Sequence, residues 1–201
     1  MNIKLKIIIL VVAGMGVLLL CYYLLAYMSF SDALDKKYTR EQLESNFKEH
    51  EKEFEELTQY FKSVIPQEKK KYSITFGRST RNTVSLILYP KTISPENKII
   101  GGSDLRMDAI ELKKASDKLG WSSAIIKKLR DKLSKTNCDW IRTVEWRDDL
   151  LQIYPQQQGM GKFTYGVWDK PVVDSLTDEY GKPLSKIGFG NKVILDYTAA
   201  L

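Results

Sequence analysis

The chain has 201 residues, 31 basic against 25 acidic, with one histidine, two cysteines and a formal net charge of +6. A surplus this small gives no argument for nucleic-acid binding, and a single histidine excludes a multi-histidine metal site within one chain. Cys21 lies in an apolar run and Cys138 far from it, so the cysteines do not read as a disulfide framework.

Residues 7–28, IIILVVAGMGVLLLCYYLLAYM, carry no charge. As a helix this run would measure about 33 Å, against about 30 Å for a bilayer's hydrocarbon core. It predicts a transmembrane signal-anchor that seats the chain in a lipid bilayer, behind a short cytoplasmic head of residues 1–6. Lys4 and Lys6 precede the run, and Asp32 and Asp35 follow it. The positive-inside rule then puts the C-terminal domain on the extracytoplasmic side. The run exceeds the apolar core of a cleaved signal peptide, although Ser29 and Ser31 have the spacing of a cleavage site. Leu19 and Leu20 do not suit a lipidation site at Cys21, and Gly14 and Gly16 do not form a GxxxG motif. Tyr22, Tyr23 and Tyr27 stand where an interfacial aromatic belt would lie. No Asn-x-Ser/Thr sequon occurs, which favours a bacterial cell envelope over an extracellular eukaryotic setting.

Thr39-Arg40-Glu41-Gln42 reads as a capping box opening a juxtamembrane amphipathic helix over 39–65. Leu43, Phe47, His50, Phe54, Leu57, Phe61 and Val64 alternate spacings of four and three, and Pro66 ends the pattern. Such a stripe packs on the domain's own sheet or pairs with a partner protein or a second copy in a short coiled coil. The first reading is preferred, because three heptads are near the minimum for a coiled coil.

An α+β domain is expected over 72–201. Tyr72 to Phe76 alternates strictly and Val84 to Tyr89 is apolar on both faces, which predicts a hairpin. Pro90 and Pro95 bracket a loop that Gly101-Gly102 ends. Asp104 to Leu119 has a helical pattern closed by Gly120, and a second helix follows Ser122 or Ser123, with Ala124, Ile125, Leu129 and Leu133 inward. Strands are expected at Trp140 to Trp146, Leu150 to Tyr154, Lys162 to Trp168 and Lys192 to Tyr197. The whole reads as α+β: an N-terminal transmembrane helix, a long juxtamembrane helix, then a mostly antiparallel sheet covered by about two helices.

No motif specifies catalysis, a metal or a cofactor. His50-Glu51 lacks the second histidine of a zincin. Gly159-Met160-Gly161-Lys162 resembles the end of a phosphate loop, but Gln156 and Phe163 replace the required glycine and hydroxyl residue, and a strand follows instead of a helix. The segment reads as a glycine turn that could still bind a ligand. Gly159, Gly161 and Lys162, with nearby Trp168, are the candidate binding residues. Asp148 and Asp149 are adjacent and so point to opposite sides of a strand, while Asp139, Glu145 and Asp196 are scattered acids. Aromatics crowd the region after residue 139. Rings on an exposed sheet stack on sugars or peptides, but core filling is the commoner use. The basic helix after Ser122 faintly suggests a helix-turn-helix, which makes a membrane-tethered nucleic-acid binder the weakest alternative. The function expected is binding or assembly with another envelope component, with a carboxylate-using envelope hydrolase or transferase as the alternative.

Overall fold

A computed structural model describes residues 14–17, 19–23, 39–67, 71–80, 82–92, 98–145, 147–155, 161–172 and 185–199. The chain divides into two units, residues 1–37 with 158–160, and residues 38–157 with 161–201. In the first, residues 14–17 and 19–23 are helical, with Tyr22 and Tyr23 edge to face at 6.4 Å.

The single-pass anchor expected over 7–28, and with it the membrane and envelope location, is corrected. Among the described residues no helix is long and apolar enough to cross a membrane. The rest of the run, and the head at 1–6, lie outside the described residues.

The second unit is α+β. Two helices, α1 (Arg40–Glu49) and α2 (Glu51–Val64), lead into β1 (Tyr72–Arg78), β2 (Thr83–Pro90) and β3 (Ile100–Arg106). Helices α3 (Ile110–Leu119) and α4 (Ser123–Lys135) follow, then β4 (Cys138–Val144), β5 (Arg147–Pro155), β6 (Gly161–Trp168), β7 (Ser185–Gly188) and β8 (Val193–Ala199). The strands form one eight-stranded sheet in the order β3-β2-β1-β4-β5-β6-β8-β7. Every pairing is antiparallel. The one long jump, from β3 at an edge to β4 beside β1, is made by α3 and α4.

Local sequence explains the helix ends. Thr39 and Gln42 form the reciprocal capping box, with Thr39 N donating to Gln42 Oε1 at 2.9 Å and Gln42 N donating to Thr39 Oγ1 at 3.3 Å. Gly120 closes α3 in the left-handed region, at φ 69°, and Ser122 caps α4. The helix expected over 39–65 is broken at His50, which ends α1 and starts α2 at φ −119°, ψ 23°. The break lets both halves follow the sheet: Leu43, Phe47, Phe54, Leu57 and Phe61 are all fully buried in the chain's own core. A polar chain holds the corner. Asn46 Nδ2 donates to the Thr136 carbonyl at 3.1 Å, and Asn137 Nδ2 donates to Asn46 Oδ1 at 3.0 Å and lies 3.3 Å from His50 Nε2.

The core occupies one face of the sheet. Phe47 and Phe54 pack on Tyr165 at 5.9 and 4.9 Å between ring centroids, and Tyr165 donates its hydroxyl to the Leu43 carbonyl at 2.9 Å. Trp121, in the α3–α4 turn, meets Phe61 and Phe76 and donates to the Val64 carbonyl at 2.7 Å. The inner stripe of α4 is Ile126, Leu129 and Leu133, while Ala124 is exposed.

Two strands depart from the expected pattern. Residues 100–106 form β3 instead of loop and helix start, and Ser185–Gly188 forms β7. Their glycines and polar residues carry little strand propensity, and pairing with β2 and β8 supplies what local sequence does not.

Among the described residues one core group is unsatisfied. Thr58, on the inner face of α2, is 6 % exposed and its Oγ1 has no hydrogen-bond partner. Thr58→Val keeps the shape and removes the buried hydroxyl. It is expected to raise stability by about 1 kcal/mol, seen as a higher urea midpoint at unchanged slope. A lower midpoint would mean that the hydroxyl is satisfied in solution.

Candidate binding face

Side chains alternate across a strand, so fixing Phe76, Ile141, Ile153 and Tyr165 in the core sends their neighbours to the opposite face. No described helix packs there. Register lines up its residues in rows across the strands. One row runs Ser85, Gly77, Trp140 and Tyr154, with the Thr164–Asp196 pair on the strands beyond; the next runs Ile87, Thr75, Arg142, Gln152, Gly166 and Ile194. Leu150 and Trp168 pair beyond them. Gly77 is needed where it stands: a Cβ there would lie 2.5 Å from Trp140 Cε3, so its hydrogen lets the indole lie across β1.

Two arginines are mounted on this face in the same way. The Arg147 guanidinium lies 4.2 Å from the Trp168 ring centroid, and its Nε and Nη2 donate to the two Asp149 carboxylate oxygens at 3.2 and 3.3 Å. These hydrogen bonds, and then the charge of Arg147, hold the Asp149 carboxyl below its ordinary pKa. The Arg142 guanidinium lies 5.2 Å from the Tyr154 ring centroid, and its Nε donates to Gln152 Oε1 at 2.6 Å. Tyr154 donates its hydroxyl to the same Gln152 oxygen at 3.0 Å. Burial raises the Tyr154 pKa, against the lowering effect of Arg142, so the phenol keeps its proton at neutral pH. Arg142 is exposed while Gln152, Tyr154 and Trp140 are half-buried. An arginine lying over a ring and tied at Nε is a positioned cation, and this one is exposed.

The residues singled out in the sequence are distributed as follows. Gly159 lies outside the described residues. Gly161 and Lys162 open β6, opposite Ala199 and Thr198, and Trp168 closes the same strand. Lys162 and Trp168 are therefore about 20 Å apart along the strand and are not brought together. Trp168 does belong to the arginine-bearing face. Arg142, Gln152 and Tyr154 were not found from the sequence. Their signal was a period of two on β5 and an arginine opposite a glutamine, which acquires meaning only once register is known.

Asp139 and Glu145 do not converge: Asp139 is the second residue of β4 and Glu145 follows its end, about 20 Å away. Asp148 pairs with Lys91, and among the described residues no group of three or more metal-binding side chains occurs. The basic helix α4 spends part of its charge internally: Lys128 lies 4.4 Å over the Tyr60 ring and Lys132 pairs with Glu56 at 2.9 Å. Elsewhere an open depression is lined by Asn82, Arg106, Met107, Asp108 and Arg130, with Arg106 paired to Asp108.

Comparison with protein-family models, with curated proteins and with solved structures finds no match.

Burial pushes the Cys138 thiol up to about 12. The thiolate is the reactive form, so in a Cys21→Ser background the folded chain is expected to resist iodoacetamide at pH 8 and to react on unfolding. Fast labelling of the folded chain would contradict the burial. Asp139 is raised above its ordinary pKa by desolvation, which outweighs the attraction of Arg78 at 3.1 Å. A carboxyl whose folded pKa is raised stabilises the fold below its unfolded pKa, and that contribution is lost as pH rises through the folded value. The stability of the native chain relative to Asp139→Asn is therefore expected to fall from pH 3 to pH 6 in denaturant titrations. A rise over that interval would mean that the ion pair dominates.

Proposed function

We propose that this α+β domain is a binding module that engages a partner protein on the face of its sheet where no described helix packs. The observation that carries this reading is Arg142, exposed and held by Gln152 and the Tyr154 ring instead of by a carboxylate. Holding a long charged side chain in one geometry costs side-chain entropy, of the order of 1–2 kcal/mol. A posed, outward-facing guanidinium beside half-buried aromatics resembles the arginine and aromatic anchors at the centres of protein interfaces. Asp139, Asp148 and Asp149, each paired with its own cation, weigh against a carboxylate-based hydrolase, and the internal contacts of α4 weigh against its use in nucleic-acid binding.

Site-specific photo-crosslinking tests the reading. Tyr89 is exposed on this face through its pairing with Ser73, and Lys127 is exposed on α4 on the other side. A benzoylphenylalanine at position 89 of the full-length chain is expected to give a discrete heterologous adduct in cells, identified by mass spectrometry. The same group at position 127 should not give that adduct. Equal capture from both positions, or none from position 89, would overturn the proposal.

A further inference from the structure

Resting on that reading, we propose that Arg142 is the anchor for a carboxylate, and that the ligand of this face is an acidic peptide segment of the partner. Arg147 and Arg142 are both stacked on an aromatic ring of the same face, at 4.2 and 5.2 Å. In the first assembly a carboxylate completes the fork: Asp149 takes two N–H groups of Arg147. In the second the ring and an amide are present, and no carboxylate among the described residues pairs with the guanidinium. Arg40, Arg78 and Arg106 each have a carboxylate, Glu44, Asp139 and Asp108. Arg142 is thus built like Arg147 with no acid supplied by the described residues: Gln152 takes Nε, the Tyr154 phenol also hydrogen-bonds the guanidinium, and the side chain stays exposed to a carboxylate from outside.

The surroundings select the kind of ligand. Nucleic acid binds along a track of cations with bases stacked on ring faces. Here the rings of Tyr154 and Trp168 already carry guanidiniums, and Arg147 is neutralised by Asp149. One exposed, forked cation flanked by half-buried Trp140 and Leu150 fits one acidic side chain of an extended peptide with apolar neighbours. The carboxylate gives orientation and the indole gives contact area.

Fluorescence anisotropy on the full-length chain tests this, with three labelled probes: a twelve-residue peptide of alternating Glu and Tyr, its Gln counterpart, and a thymidine dodecamer. The Glu peptide is expected to bind with an affinity that falls as salt rises, and Arg142→Met to weaken it at least tenfold. Arg142→Lys should restore it only in part, because an ammonium lacks the fork. Lys127→Gln should leave it unchanged. Unaltered melting temperatures would show that the exposed substitution spares the fold. Equal binding of the Glu and Gln peptides, equal affinity of Arg142→Met, or preference for the thymidine dodecamer would each overturn the carboxylate proposal. The crosslink from position 89 separates the two levels. An adduct that persists in Arg142→Met leaves the docking face standing and removes the carboxylate anchor, whereas loss of the adduct in the native chain removes both.

Discussion

Phe47 and Phe54 pressing on Tyr165 is the contact on which the rest of this domain depends. A sheet of eight strands must hide at least one face, and this cluster fastens the first two helices to its second half. Truncating one buried phenylalanine typically costs about 3–5 kcal/mol. A domain's whole stability is about 5–15 kcal/mol. The cluster is therefore decisive for the fold. It also explains why Tyr165 spends its hydroxyl on the Leu43 carbonyl: a buried phenol needs a partner, and this one ties α1 to β6.

Burying the core on that face dictates what the other face can be. Alternation places Trp140, Arg142, Gln152, Tyr154 and Trp168 together by register, whatever their separation in the chain. Once there, they satisfy one another. Gly77 makes room for the indole, Gln152 ties both Arg142 and Tyr154, and Asp149 answers Arg147. The face is thus ordered with no helix over it among the described residues, and Arg142 is exposed on it. Binding on a rigid sheet avoids the ordering cost that a loop would carry, which suits the role proposed.

The corner at His50 shows how a local pattern is bent to a tertiary need. Heptad spacing alone continues through His50 to Val64 as one rod. A straight rod would carry its stripe off a twisted sheet, and the break lets α1 cover the β7–β8 end while α2 runs back toward α4. The Asn46–Asn137 pair, with the Thr136 carbonyl, holds that corner against the start of β4. Asn137 stands at φ 53°, a left-handed conformation that asparagine tolerates better than most residues.

Much of the fold was legible in the chain because its signals are local. The capping box at Thr39, the stop at Gly120, the cap at Ser122, the alternation of Tyr72 to Phe76 and the strands of the C-terminal half need only neighbouring residues, and they specify an α+β order with an antiparallel sheet. The apolar run at 7–28 is as clear in composition, yet composition reports hydrophobicity and not placement, and among the described residues no helix is long and apolar enough to span a membrane. The glycine-rich β3 and the short β7 were decided by pairing partners far away in sequence. The same holds for the binding face. An arginine, a glutamine and a tyrosine on two strands carry no motif, because what unites them is register. Register is set when the whole sheet chooses which face to bury.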